Sequence, residues 1–178
     1  MPAIPVPSAF ESRCNATYDA LMWALSRPGL VRDLPEAGQA QIVDALIDRD
    51  CAVFCDAPDL AARVAGIGAA LVDVERADHL FLDRLENAGL LRALRLGSDL
   101  HPELGETLVL NAAIGTGPGV RLTGPGVDGS VEIRIAGLPD GFWRIRAQVM
   151  RYPMGFELFL LDGTRVVGLP RSTEVEVL

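Results

Sequence analysis

The chain has 178 residues, 49 % hydrophobic and 22 % charged, with a formal net charge of −8. That balance belongs to a folded globular chain with a core of its own, and the negative field argues against general nucleic-acid binding. All 16 basic residues are arginine, which excludes a pyridoxal Schiff base and a Walker A phosphate loop, since both need a lysine.

Residues 1–8 read as an extended tail rich in proline (Pro2, Pro5, Pro7), without the basic and apolar regions of a secretory signal. Ser8 and Glu11 have the spacing of a capping box. The helix beyond them places Phe10, Cys14, Thr17, Tyr18, Leu21 and Leu25 on one face, and Pro28-Gly29 ends it. A short strand over 31–34 precedes a helix that opens at Pro35, with Ile42, Val43, Leu46 and Ile47 inward. The apolar run 51–55 reads as a buried strand, and Asp56 with Pro58 starts a third helix that reaches Gly66 or Ala70. Residues 79–82 form another strand. Asp83 caps a fourth helix that ends near Gly97, with Arg92 and Arg95 at its negative end.

From there the apolar period becomes two. Strands are expected over 107–112, 120–123 and 131–135. Pro139 opens a helix with Phe142, Ile145 and Val149 on one stripe. Residues 156–161 and 165–169 form a hairpin around Asp162-Gly163, and 173–177 extends the sheet. Residues 9–178 thus make a single α/β domain of three layers around a mixed sheet. No apolar stretch is long enough to span a membrane. The three cysteines Cys14, Cys51 and Cys55 do not suggest a disulfide framework, and the expected compartment is the cytoplasm.

The sequence displays no catalytic triad and no metal motif. The glycine runs 66–68, 115–119 and 124–126 lack the strand-to-helix context that phosphate loops need and read as turns. Cys51 and Cys55 read as inert thiols, and the only histidines, His79 and His101, have no partner at ligand spacing. His101 and Glu103 share a loop in which acid–base work is conceivable, but no nucleophile stands beside them. Arg27, in Ser-Arg-Pro-Gly, and Arg171, followed by Ser172 and Thr173, present guanidinium forks in loops. Arg27, Glu103, Arg171 and Ser172 are therefore the ligand-binding candidates. No catalytic residue, metal ligand or cofactor is assigned.

Five proline- and glycine-bearing blocks punctuate the chain: 26–29 (SRPG), 102–108 (PELGETL), 122–126 (LTGPG), 152–158 (YPMGFEL) and 169–173 (LPRST). In this order, together with Tyr18 to Gly29 and Ile42 to Val53, they resemble the PhnH family of the bacterial carbon–phosphorus lyase system from about Phe10 to the C-terminus. Asp19 stands where that family commonly has arginine, Glu106 where alanine is usual, and Glu157 in place of a shorter Asp. The resemblance implies a fold similar to pyridoxal-phosphate-dependent transferases without the cofactor lysine. It also implies a homodimer when isolated, and assembly with PhnG, PhnI and PhnJ. The implied role is that of an accessory subunit in the transfer of alkylphosphonate onto the ribose of ATP. The alternative is a free-standing enzyme or binding module for a small phosphorylated ligand, with His101, Glu103 and Arg171 around one pocket.

Overall fold

A computed structural model describes residues 6–178; the first five positions of the expected extended tail, residues 1–8, lie outside the described residues. Helix α1 (Ala9–Ser26) begins as its sequence dictates. The Ser8 hydroxyl accepts the Glu11 amide at 3.2 Å, and the Glu11 carboxylate accepts the Ser8 amide at 2.7 Å. Its buried face differs from the expected stripe. Thr17, Ala20, Leu21 and Ala24 are buried, whereas Phe10 and Tyr18 are about half exposed. Small residues line the contact because the helix backbone lies almost on the sheet: a Cβ at Gly168 would fall 2.6 Å from the Ala24 carbonyl carbon.

The chain continues through β1 (Arg32–Asp33), α2 (Ala40–Leu46), β2 (Ala52–Cys55), α3 (Pro58–Ile67), β3 (Ala70–Leu71) and β4 (His79–Leu82). Then follow β5 (Thr107–Asn111), β6 (Ala113–Thr123), β7 (Val131–Ala136), α4 (Phe142–Val149), β8 (Glu157–Asp162), β9 (Arg165–Leu169) and β10 (Glu174–Val177). Helix α2 starts five residues after Pro35 and buries Ile42 and Val43, with Ile47 buried just past its end and Leu46 half-buried. Gly68, left-handed at φ 92°, ends α3.

The fourth helix expected after Asp83 does not form. Only a 3-10 turn (Ala88–Arg92) is present, capped by the Asn87 side chain on the Gly89 amide. Across this segment the buried residues Leu85, Ala88, Leu91 and Leu94, of which Ala88 and Leu91 lie in the turn, recur at every third position, the period of a 3-10 segment and not of an α-helix. Arg95 therefore ends no helix. The run 115–119 is no turn either: it lies inside β6, where the pairing with β7 shifts register between Ile114 and Gly119. In the β8–β9 hairpin Asp162 pairs with Arg165, so the turn is Gly163-Thr164. Positive φ at Gly163 alone (64°) is the type II′ pattern.

The expected single sheet is two sheets. The larger has the order β1-β9-β8-β5-β4-β2-β3, with β3, β2, β4, β5 and β8 parallel, β9 antiparallel to β8, and β1 antiparallel to β9. The smaller, β10-β6-β7, is antiparallel. Alternation along the central strands feeds two cores. Phe81, Val109 and Phe159 pack with Leu21, Ile42 and Val64 from α1, α2 and α3. Leu80, Leu108 and Leu158 pack on the opposite face with Phe142 of α4 and Val120 and Ile135 of the smaller sheet. The connection from β2 to β3 runs through α3 on the first face, and that from β4 to β5 carries Leu85 and Leu91 onto the second. The winding direction thus reverses between β2 and β4, and a crevice opens at their carboxyl ends. No helix among the described residues is long and apolar enough to cross a membrane.

Candidate functional site

The five blocks, scattered in sequence, meet in space. Their glycines stand where another block leaves little room for a side chain, through its backbone at Gly105, Gly124 and Gly126 and through side-chain atoms at Gly29 and Gly155. A Cβ on Gly29 would lie 2.6 Å from Leu122 Cδ1, and one on Gly126 would overlap the Ser26 carbonyl oxygen. A Cβ on Gly124 would lie 2.7 Å from the Ser172 carbonyl oxygen. One on Gly155 would lie 2.9 Å from Arg171 Cβ, and one on Gly105 would overlap the Gly155 carbonyl oxygen. Block 26–29 thus touches 122–126, which touches 169–173, which touches 152–158, which touches 102–108.

Arg171 pins the last three blocks together. Its Nε donates to Glu157 Oε1 at 2.6 Å, its backbone amide donates to Glu157 Oε2 at 3.0 Å, and its guanidinium donates to the Pro102 carbonyl. From beneath, buried Arg146 of α4 donates to the carbonyls of Thr173 at 3.0 Å and Pro170 at 3.1 Å. Burial brings this guanidinium down to about 10, so it stays charged at neutral pH. The 170–173 loop is thereby held by two arginines that both donate to internal partners.

Glu103 and Arg171 line one shallow hollow of about 300 Å³ with Tyr152 and Glu157. Exposed His101 does not line the hollow but meets Glu103 at 3.0 Å, and Glu103's own backbone amide, with His101, holds its carboxyl below the usual range. Half-buried Ser172 follows Arg171 in the chain. Arg27 belongs to a different surface. It is exposed at the end of α1, 5.3 Å from the centre of the Trp23 ring.

Beside the hollow, at the amino ends of the parallel strands, lies a buried carboxyl that carried no chemical assignment from sequence. Glu106 is fully buried, and neither of its oxygens has a hydrogen-bond partner. Arg95 Nε stands 3.5 Å away, while the same guanidinium pairs with Asp78. Burial pushes the Glu106 carboxyl up to about 7, against the opposing pull of Arg95. The neighbouring His79 is pushed down by burial and is neutral at pH 7, its Nδ1 without a partner.

The carboxyl edge holds a second polar group that sequence reasoning missed. The Asp56 carboxylate accepts the Asp83 amide at 3.0 Å, Asp83 accepts Asn111 Nδ2 at 2.8 Å, and Gln39 donates to the Leu82 carbonyl at 2.8 Å. These side chains line a cavity of about 580 Å³ that adjoins one of about 800 Å³ reaching Asp162 and Gly163. The one arginine lining these two cavities, Arg84, is paired with Glu86 at 3.2 Å. The crevice presents acceptors and so suits groups that donate hydrogen bonds, not free anions. The sequence offers Asp83 only as a helix cap, and the topology brings Asp56 and Asn111 to it.

Comparison with known proteins places these features. The family described as "Bacterial phosphonate metabolism protein (PhnH)" matches residues 9–176. The chain belongs to the PhnH family. Among its relatives is the "Putative C-P lyase subunit protein HtxG" of Stutzerimonas stutzeri, 30 % identical over 187 residues that cover 99 % of this chain and 95 % of the relative. Another is the "Alpha-D-ribose 1-methylphosphonate 5-triphosphate synthase subunit PhnH" of Rhizobium meliloti, 27 % identical over 187 residues that cover 94 % and 91 %. In this PhnH-family chain all five blocks fall within the matched span, and the structure gives them one physical role as close-packed joints between elements.

Proposed function

We propose that the chain is an accessory, non-catalytic subunit of the carbon–phosphorus lyase core complex. It supports the transfer of alkylphosphonate onto the ribose of ATP, in the cytoplasm, alongside PhnG-, PhnI- and PhnJ-type subunits, and forms a homodimer when isolated. One observation carries this reading: the family match spans 9–176, and two relatives named as subunits align over more than 90 % of both partners. The expected kinship to pyridoxal-phosphate-dependent transferases goes with it, and a chain whose 16 basic residues are all arginine cannot hold that cofactor as a Schiff base. The commitment of Arg171 and Arg146 to internal partners supports a scaffolding role for the 170–173 loop.

A second reading, a binding module for a small ligand, has one observation in its favour: Glu103 and Arg171 line the same hollow. Two carboxylates, Glu103 and Glu157, face one arginine there, which disfavours a free anion.

The test is reconstitution of the phosphonate- and ATP-dependent release of adenine from purified subunits. Adding this chain raises the rate by about tenfold or more. The chain alone releases no adenine. An undiminished rate without it, or turnover by the chain unaided, contradicts the proposal.

A further inference from the structure

The outward side of α1 and the turn after it carry an unusual grouping. Tyr18 is 51 % exposed, Met22 36 % and Leu30 43 %. Spacings of four bring Tyr18 to Met22, and Asp19 to Trp23, on this side of the helix. The Trp23 ring has two guanidinium groups over it, Arg27 at 5.3 Å and Arg32 at 5.1 Å from its centre. Arg32 is partly neutralised by Asp19 at 3.8 Å. Arg27 has no carboxylate within ion-pair distance among the described residues, and its side chain donates only to the Ser26 hydroxyl at 3.4 Å. A net-positive, aromatic and apolar patch therefore sits on a chain whose overall charge is −8.

Trp, Tyr and Arg clustered with apolar neighbours are the composition of interface hot spots, not of ordinary surface. Resting on the subunit reading above, we infer that the patch formed by Tyr18, Met22, Trp23, Arg27, Leu30 and Arg32 docks an acidic segment of a neighbouring, different subunit. That segment presents a carboxylate to Arg27 and an apolar side chain to Met22 and Leu30. Charge decides the class of occupant. A second copy joined through the same patch would bring two net-positive surfaces together. A polyanion such as nucleic acid would meet the repulsion of the whole chain. A carboxylate beside an apolar group satisfies both halves of the patch, and the stacked tryptophan holds the guanidinium groups in place before contact.

The experiment compares the full-length tagged chain with its Arg27→Glu and Tyr18→Asp variants, purified from the native host during growth on phosphonate. Thermal melts establish that each variant folds, and Arg49→Glu, an exposed change on a distant loop, is the control. Wild type and Arg49→Glu bring down the other subunits. Arg27→Glu and Tyr18→Asp each reduce that recovery by about tenfold or more, the loss expected for a hot-spot residue, and the wild-type contact weakens as salt rises. Folded variants that assemble like wild type overturn this inference and leave the subunit reading standing. Wild type that comes down alone overturns both. Assembly unchanged in Arg27→Glu, with binding of inorganic phosphate to the free chain abolished, would make the patch an anion site and overturn the docking surface.

Discussion

Glu106 is a carboxyl group that the fold encloses without hydrogen-bonding it. Its ordinary value is 4.5, and burial raises it to about 7 in the folded chain. The folded state therefore keeps a proton that the unfolded state has already released. The stabilisation is complete below about 4.5 and is lost as pH rises from there to about 7. A shift of this size corresponds to about 3 kcal/mol. Glu106→Gln, uncharged at every pH, is expected to match wild type near pH 4.5 and to be the more stable of the two at pH 8, as read by denaturant midpoints. Parallel pH curves for the two proteins would contradict the account. At this scale the sequence displays chemistry only in part. Arg171 and Glu103 are recognisable as polar residues of turns, and they do share a hollow. Nothing local to Arg171 reveals that its Nε and Nη1 donate to Glu157 and the Pro102 carbonyl, because those partners lie 14 and 69 residues away. Glu106 is visible as an unusual residue in its block, but its enclosure depends on Arg95 and Asp78 from other segments.

The elements are joined where glycine lets two backbones approach. Gly105 is the sharpest case, since its φ of −67° suits any residue and only the Gly155 carbonyl excludes a side chain. Gly105→Ala must push blocks 102–108 and 152–158 apart, and is expected to cost about 3 kcal/mol, the upper range for overpacking. Gly66→Ala, where an added Cβ meets nothing within 4 Å, is expected to be neutral or slightly stabilising in its helix. Equal stability of the two variants would contradict the joint. Element existence follows from local signals wherever a cap or clean alternation is present. The Ser8–Glu11 box and the Val131–Ala136 alternation are examples. It does not follow in two kinds of place. Buried residues at spacings of three give a 3-10 turn after Asp83 where an α-helix is expected. The contact of α1 with β9 uses Ala24 and Gly168, so the large apolar residues of that helix do not mark its buried side. Separation of the strands into two sheets has a partial trace in the pattern: β5 and β8 are continuous apolar runs buried on both faces, whereas β7 and β10 alternate, but which strands pair is set by contacts distant in sequence.

At the scale of the molecule, an acidic chain with internally bonded arginines at its loop seam carries apolar and aromatic surface along α1. Loose apolar surface of this kind is what a subunit presents to its neighbours. The acceptor-lined crevice at the switch point is the other open feature, and it lies at the sheet edge opposite the Arg171 hollow. Membership of the PhnH family and the form of this surface both support the proposal that the protein acts as a subunit. Native mass spectrometry of the tagged chain, taken from cells grown on phosphonate, tests that most directly. The account predicts a discrete multi-subunit mass in which this chain is present in fixed ratio to the other components. The chain appearing only as itself or its own dimer, under the same conditions, would contradict it.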